Sequence, residues 1–159
     1  MQKIDLSNSH LKALVDDEDY DRIIKYNWIL LDTKASSFVI RSTHRFNGRQ
    51  ITLANFIMQQ EYGIYDHIDV NFLNNQKSNL RKCTEKQNNR NRKIPKNNTS
   101  GYKGVTWAAD RSKWYASIRK NNKTKSLGCF YTKEEAAEAY NKAAIKYFGE
   151  FANLNIIHK

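Results

Sequence analysis

The stretch that decides the fold of the first half reads DHIDVNFLNNQKSNLRKCTEKQNNRNR, residues 66 to 92. The aromatic and β-branched run Tyr65 to Ile68 predicts a short strand, and the Asn-rich segment after it predicts a loop. Asn79 to Cys83 predicts a returning strand. Thr84 and the glutamine three residues later form a capping box, so a helix is expected to begin there and run to about Asn91. The stretch therefore predicts two strands followed by a helix.

Four polar residues of this stretch are spaced so that they can serve one metal ion. Asp66 and His67 are adjacent in the first strand, Asn79 lies in the second strand, and Asn88 lies in the helix. Cleavage of a phosphodiester requires a hard, oxygen-ligated cation and a base that activates water. Asp and Asn supply oxygen ligands, and a histidine pKa suits general-base work near neutrality. The residues alone leave a second interpretation open, in which an Asn-rich loop lies beside a structural histidine.

In residue order and spacing, residues 66 to 92 resemble the HNH ββα-metal motif of phage and intron-encoded homing endonucleases. The resemblance implies that Asp66 and Asn88 coordinate a divalent metal ion, Mg²⁺ or alternatively Mn²⁺, and that His67 is the general base. It also implies that Asn79 orients the His67 imidazole or shapes the loop, whereas Asn75 is interpreted as a turn-former. Three arginines are placed to meet backbone phosphates, with a solvent-facing role as the alternative for each: Arg81, Arg90 and Arg92.

Two positions depart from the usual motif. An upstream HRLIM-like segment normally carries a histidine where this chain has Ala54, and the glycine that usually follows the DHIN or DHID sequence is Val70. A β-branched residue adopts a positive φ only at a cost, so Val70 is expected to bend the loop differently. A catalytically impaired protein is therefore the alternative to an active nuclease.

The chain upstream of the motif predicts a small mixed α/β scaffold. Asp16 to Tyr26 begins with acidic residues and has helical spacing. Strand patterns follow at Trp28 to Leu31, Phe38 to Arg41 and Gln50 to Leu53.

The segment from Ile94 to Gly101 breaks all periodicity and contains the single proline, which indicates a domain boundary. Three strand patterns follow, Tyr102 to Trp107, Lys113 to Arg119 and Lys123 to Phe130. A second capping box at Thr132 then opens a helix from Glu134 to Phe148. The expected fold class is α+β, with an HNH endonuclease module at 1–93, a linker at 94–100 and a DNA-binding domain at 101–159. That domain is expected to be a three-stranded antiparallel sheet packed on one helix.

Residues Gly101 to Asn155 resemble the ethylene-response-factor (APETALA-type) DNA-binding domain of plants, which also occurs in HNH endonucleases. The shared landmarks are Tyr102 to Val105, Ala116 to Arg119, Leu127 to Phe130 and Glu135 to Tyr140. The resemblance implies that one sheet face enters the DNA major groove. Strand alternation places Ala116 and Ile118 on the helix, and Ser117 and Arg119 outward. The candidate contacts, with stacking or packing as the alternative for the tryptophan, are Lys103, Thr106, Trp107, Arg111, Lys113, Ser117, Arg119, Thr124, Lys125 and Ser126.

Charge is divided unevenly along the chain. Residues 1 to 80 carry nine Lys/Arg and ten Asp/Glu, whereas residues 81 to 159 carry eighteen and six, within a total net charge of +11. The basic half is expected to face a polyanion, because each cation placed near a phosphate releases counterions. A solvated basic surface is the alternative.

The remaining composition narrows the functional classes. Cys83 and Cys129 form no CxxC or Cys-His pair, so neither a disulfide framework nor a zinc site is indicated. No apolar run is long enough to span a membrane, and the start does not read as a signal peptide, so a cytoplasmic, intracellular protein is expected, located in the host cell if it is phage-encoded. The sequence predicts a metal-dependent endonuclease that acts on double-stranded DNA as a monomer or homodimer. A DNA-binding regulator with a decayed nuclease is the second hypothesis, and an RNA-directed protein is a third.

Overall fold

The protein is described from a computed structural model, which covers residues 1–33, 37–60, 62–91, 94 and 97–157. Within these ranges it is an α+β protein with four α-helices and several small antiparallel sheets. The chain forms two compact units, Met1–Asn88 and Asn89–Lys159. None of the described helices is long and apolar enough to cross a membrane.

The first unit has three separate sheets. A hairpin pairs β1 with β2, β4 lies between β3 and β5 in a three-stranded sheet, and β6 pairs with β7. The strands are β1 Gln2–Leu6, β2 Ser9–Val15, β3 Trp28–Thr33, β4 Ser37–Phe46, β5 Arg49–Thr52, β6 Tyr65–His67 and β7 Leu80–Lys82, and the helices are α1 Asp17–Ile23, α2 Leu53–Ile57 and α3 Glu85–Arg90.

The core of the first unit is built from one apolar side chain or a few from each element. Val15, Ile23, Trp28, Leu53 and Ile57 are almost completely buried there. Burial of side chains of this size contributes about 1.5–3 kcal/mol each relative to exposure. The β6–β7 ribbon is attached to this core through the buried Leu80.

The second unit is a three-stranded sheet with one long helix on it. The strands are β8 Val105–Ala108, β9 Lys113–Lys120 and β10 Lys123–Phe130, with β9 in the centre, and the helix is α4 Lys133–Phe148. Thr132 Oγ1 accepts a hydrogen bond from the Glu135 N–H, and the Glu135 carboxylate accepts one from the Thr132 N–H, which confirms the predicted capping box. Buried alanines of α4 let it lie close to Ala116 and Ile118 of the sheet.

The largest differences from the sequence prediction are in three strands. The expected strand Phe38 to Arg41 continues to Phe46, where it pairs with β5. The expected strand from Tyr102 begins only at Val105, because Gly104 has φ +75° and turns the chain; a Cβ there would lie 2.1 Å from the Tyr140 ring. The expected strand from Gln50 ends at Thr52, whose side chain accepts from the Asn55 N–H and so starts α2. The β1–β2 hairpin was not specified by the sequence pattern.

Candidate metal centre and DNA-facing sheet

The predicted strand, returning strand and helix are present as β6, β7 and α3. β6 pairs with β7 so that Asp66 lies opposite Arg81 and His67 lies opposite Leu80. Thr84 Oγ1 accepts from the Gln87 N–H at 3.3 Å, and Gln87 Oε1 accepts from the Thr84 N–H at 2.8 Å. This reciprocal cap satisfies amide groups at the start of α3 and fixes where the helix leaves the ribbon.

Asp66 lies in a buried ion pair with Arg81, its cross-strand partner. The carboxylate is 4% exposed, and Oδ2 accepts from Arg81 Nη2 at 2.7 Å and from Arg81 Nε at 3.0 Å. Both hydrogen bonds end on the same oxygen, so the guanidinium fixes the rotamer of the carboxylate. A buried carboxylate is costly without such a partner. Arg81 was expected to bind DNA phosphates. In the structure its guanidinium instead pairs with the Asp66 carboxylate.

The His67 imidazole is held by Asn75. Nε2 of His67 lies 3.2 Å from Oδ1 of Asn75, while Nδ2 of Asn75 donates to the Phe72 carbonyl at 3.0 Å. The carbonyl fixes the orientation of the amide, so Oδ1 faces the ring and can only accept. Nε2 must then carry the proton in the neutral ring, which leaves the lone pair on Nδ1.

Burial lowers the pKa of His67 below its ordinary value of 6.5, while the Asn75 hydrogen bond and the carboxylates of Asp69 and Asp66 act in the opposite direction. The imidazole is therefore mainly neutral at neutral pH. A neutral imidazole with one oriented proton and one lone pair has the form that a general base requires.

Asn79 organises the loop between the two strands. Its Oδ1 accepts from the Asp69 N–H at 3.0 Å, and its Nδ2 donates to Asp69 Oδ1 at 2.9 Å and to the Asn74 carbonyl at 2.7 Å. Of the two roles expected for Asn79, these hydrogen bonds correspond to shaping the loop, whereas Asn75 makes the contact with the imidazole. Asn75 is thus both the predicted turn-former and the partner of His67.

Val70 occupies the turn of this loop with φ +61°. Its N–H donates to the His67 carbonyl at 2.9 Å, which closes the turn directly after the histidine. The expectation that Val70 bends the loop differently is therefore wrong, since valine takes the left-handed conformation that glycine would adopt. The surrounding hydrogen bonds of Asn79 hold it there at a cost in backbone strain.

Asn88 is exposed on α3, where its N–H donates to the Thr84 carbonyl at 3.0 Å. The Cys83 thiol, just after β7, donates to the Ile64 carbonyl at 3.5 Å, and burial raises its pKa, with Asp66 adding to the shift and Arg81 opposing it. Asp66 and Asn88 thus lie in β6 and α3 of one ββα segment, and their pairing at a single metal ion stays a prediction.

The donor set suits a hard cation that keeps most of its water. Asp66 and Asn88 offer one carboxylate and one amide oxygen, and the described residues include no cluster of three or more His, Cys, Asp or Glu. Mg²⁺ is commonly held by one or two carboxylates together with water and substrate phosphate oxygens. Two protein oxygens, with water and substrate completing the coordination, would be consistent with that pattern. Ala54, in place of the usual histidine, lies in α2 and packs partly buried on the core.

The outward face of the C-terminal sheet carries most of the predicted DNA contacts. Ala116 and Ile118 are buried against α4, so the residues that alternate with them in β9, and the residues paired with those on β8 and β10, face away from the helix. Arg111 reaches this face, since its Nη1 lies 3.4 Å from the Cys129 sulfur. By strand alternation, the other predicted residues on the face are Thr106, Lys113, Ser117, Arg119, Thr124 and Ser126.

Three predicted contacts lie elsewhere in this unit. Trp107 packs edge-on against Trp114 at 5.2 Å on the helix side of the sheet, and Lys125 extends over the Tyr147 ring of α4. Lys103 Nζ donates to the Arg90 carbonyl, and burial lowers the pKa of Lys103 to about 8. Trp107 is still 49% exposed, so the choice between packing and DNA contact stays a prediction.

The arginines at the end of the motif have different surroundings. Arg90 places its guanidinium 4.5 Å from the centre of the Phe148 ring, so it stacks on a helix side chain of its own unit. Arg92 lies outside the described residues.

Comparison with known proteins supports the two resemblances. The chain is 44% identical over 92 residues to an HNH endonuclease of Acanthamoeba polyphaga mimivirus, covering 58% of this chain and 46% of the viral protein. It is 45% identical over 58 residues to Protein 3.8 of Escherichia phage T7, covering 36% of this chain and 48% of that protein.

A plant relative is an AP2-like ethylene-responsive transcription factor of Arabidopsis thaliana, 35% identical over 68 residues, covering 43% of this chain and 14% of the plant protein. The chain thus spans less than half the length of each of these relatives. No protein-family model matches the chain, and no solved structure matches it significantly.

Proposed function

We propose that the protein is a metal-dependent DNA endonuclease of the HNH type, in which residues 101–159 form a DNA-binding domain that directs the HNH module of residues 1–93 to its target. The observation that carries the proposal is the placement of His67. His67 directly follows Asp66 in the β6 strand, and its tautomer is fixed by Asn75. The HNH endonuclease among the relatives supports a nuclease, and the plant transcription factor supports DNA binding.

His67 acts as the general base in this proposal. A water oxygen bonds to the phosphorus as the bond from phosphorus to the leaving sugar oxygen breaks, and Nδ1 of His67 accepts the proton of that water. Asn75 leaves the basic lone pair on Nδ1 because it binds the protonated Nε2. The lowered pKa of His67 keeps the base form populated at neutral pH.

Asp66 and Asn88 would hold a divalent ion, Mg²⁺ or Mn²⁺. When bound, this ion supplies positive charge that stabilises the pentacovalent phosphate and the leaving oxygen. Arg81 positions the Asp66 carboxylate through their buried ion pair. Asn79 acts indirectly, because its hydrogen bonds with Asp69 fix the loop that follows His67.

The outward face of the C-terminal sheet binds double-stranded DNA in this proposal. Arg119 and Arg111 provide cations for guanine edges or phosphates, and Thr106, Ser117 and Thr124 add hydroxyl groups. These residues share one side of the sheet, opposite the buried side that packs on α4. A sheet of this width fits the major groove.

A supercoiled-plasmid assay tests the proposal. The wild-type protein with Mg²⁺ or Mn²⁺ is expected to nick or linearise the plasmid, and EDTA is expected to stop the reaction. His67→Ala is expected to retard DNA on a gel as well as the wild type does, without cleavage. If both proteins retard DNA and leave the plasmid equally intact, the catalytically impaired DNA-binding regulator is the correct alternative.

A further inference from the structure

One hairpin of the first unit carries basic residues and no acidic ones. Residues 37 to 60 contain three arginines and a histidine and no Asp or Glu, whereas residues 16 to 21 contain five acidic residues. The net charge of residues 1 to 80 is close to zero because a basic segment and an acidic segment offset each other. The basic segment includes β4 and β5, joined by the Asn47–Gly48 turn, and we refer to residues 37–52 as the β4–β5 hairpin.

Two arginines flank the turn of this hairpin and are exposed. Arg45 lies opposite Gln50, and Arg49 lies opposite Phe46. Arg45 Nη1 donates to the Gly48 carbonyl at 3.1 Å, a contact within the hairpin itself. A Cβ on Gly48 would meet nothing within 4 Å, so the turn is open on that side. Both guanidinium groups thus lie at an uncrowded tip.

Neither arginine pairs with a carboxylate in the described part of the chain. Four other Lys or Arg side chains among the described residues of the first unit do so: Lys12, Arg22, Lys77 and Arg81. Arg49 instead lies against Tyr62, with Nη1 3.3 Å from the phenol oxygen and the guanidinium 5.6 Å from the ring centre. Tyr62 orders one side of Arg49 without neutralising its charge.

The contact with Tyr62 joins Arg49 to the segment that leads into β6. Tyr62 precedes Asp66 by four residues, so their Cα atoms are at most roughly 14 Å apart. The Arg49 guanidinium can lie further from Asp66 than this by the length of the Tyr62 side chain. Because B-DNA advances roughly 34 Å per turn, one turn of duplex with a phosphate at Asp66 and His67 is long enough to reach the hairpin tip.

We propose that the β4–β5 hairpin is a second DNA-contacting element, in which Arg45 and Arg49 bind backbone phosphates beside the cleavage position. This inference rests on the proposed function, which supplies the DNA. An arginine fork matches phosphate geometry with two parallel hydrogen bonds, and an unpaired surface arginine can bind phosphate without first breaking an ion pair. The hairpin contributes affinity and register, because phosphate contacts carry no sequence information.

The test is the salt dependence of DNA binding by the full-length chain. Dissociation constants for a fluorescent duplex are measured by anisotropy over a salt series, in EDTA so that the duplex stays intact. Each phosphate contact contributes about 0.9 to the slope of log K against log salt concentration. Arg45→Gln with Arg49→Gln is expected to reduce the slope by about 1.8, and Arg45→Gln alone by about 0.9. Arg45→Lys with Arg49→Lys is expected to keep the wild-type slope.

The matched control removes the same charge from another part of the same unit. Lys3 and Lys12 are exposed on β1 and β2, so Lys3→Gln with Lys12→Gln is expected to leave the slope unchanged. Melting temperatures show whether each variant is folded, and the single Arg45 variant keeps the contact between Arg49 and Tyr62. A wild-type slope in the folded arginine variants, or an equal reduction in the lysine control, overturns the proposal.

The plasmid assay separates this inference from the proposed function. Wild-type cleavage together with unchanged slopes refutes the hairpin contact and leaves the nuclease standing. DNA binding with the reduced slopes but without wild-type cleavage supports the hairpin contact and refutes the nuclease. A wild-type protein that neither binds nor cleaves DNA refutes both.

Discussion

Replacing Val70 with glycine tests whether the loop after His67 stores backbone strain. Val70 has φ +61°, a conformation that costs an L-residue about 1–2 kcal/mol. Glycine removes that cost but adds about 0.5–1 kcal/mol through the greater freedom of the unfolded chain. Val70→Gly is therefore expected to stabilise the protein by about 0.5–1 kcal/mol. For a unit of this size, the melting temperature rises by about 2–8 °C.

Differential scanning calorimetry of the full-length chain measures the effect. Ile68→Gly is the matched control, because Ile68 is also β-branched, is 48% exposed and lies two residues away with a negative φ. That substitution adds the entropic cost without relieving strain, so the melting temperature is expected to fall. A melting temperature that falls equally in both variants would show that Val70 is not strained.

Three further predictions concern the site and the sheet. Asn75→Ala should lower the cleavage rate about 10–100-fold, as loss of a group that orients an active-site histidine typically does, with little change in DNA affinity by gel retardation; an unchanged rate would exclude the orienting role. Because the base form of His67 is the active one and its pKa is lowered, the single-turnover rate should fall at acidic pH with a midpoint below pH 6.5 and be nearly constant above about pH 7.5. A midpoint above pH 6.5 would contradict this assignment. Arg119→Ala, on the outward face, should reduce the salt slope of binding by about 0.9, whereas Lys125→Ala should change it less because Lys125 lies over Tyr147; anisotropy distinguishes the two, and the reverse order would contradict the assigned faces.

Elements with strong local signals were predictable from the sequence. The capping boxes at Thr84 and Thr132 mark the starts of α3 and α4, and strand alternation gives the buried side of β9. The limits of strand β8 were less predictable, because its start depends on the positive φ of Gly104 and on the Tyr140 ring that packs there. Gly104 and Tyr140 are 36 residues apart in the chain, so no local sequence pattern predicts their contact.

The candidate site was predictable in its residues but not in their pairing. Four asparagines lie between residues 71 and 79, and nothing local distinguishes Asn75, which contacts His67, from Asn79, which holds the loop. The ion pair of Asp66 with Arg81 depends on the strand register, which is set by the loop and by the burial of Leu80. Trp107 and Lys125 were grouped with their neighbours as DNA contacts, although strand alternation turns adjacent residues to opposite faces.

The most direct test of the proposed metal-dependent nuclease is the single-turnover cleavage of a labelled duplex at saturating protein, with Mg²⁺ and with EDTA, by the wild type and His67→Ala. The wild type is expected to cleave the duplex only with the metal ion. His67→Ala is expected to bind DNA equally well and to cleave at least about 100-fold more slowly, since about 100-fold is the lower end of typical general-base contributions. Equal cleavage rates for the two proteins, or wild-type cleavage that persists in EDTA, would contradict the proposed mechanism.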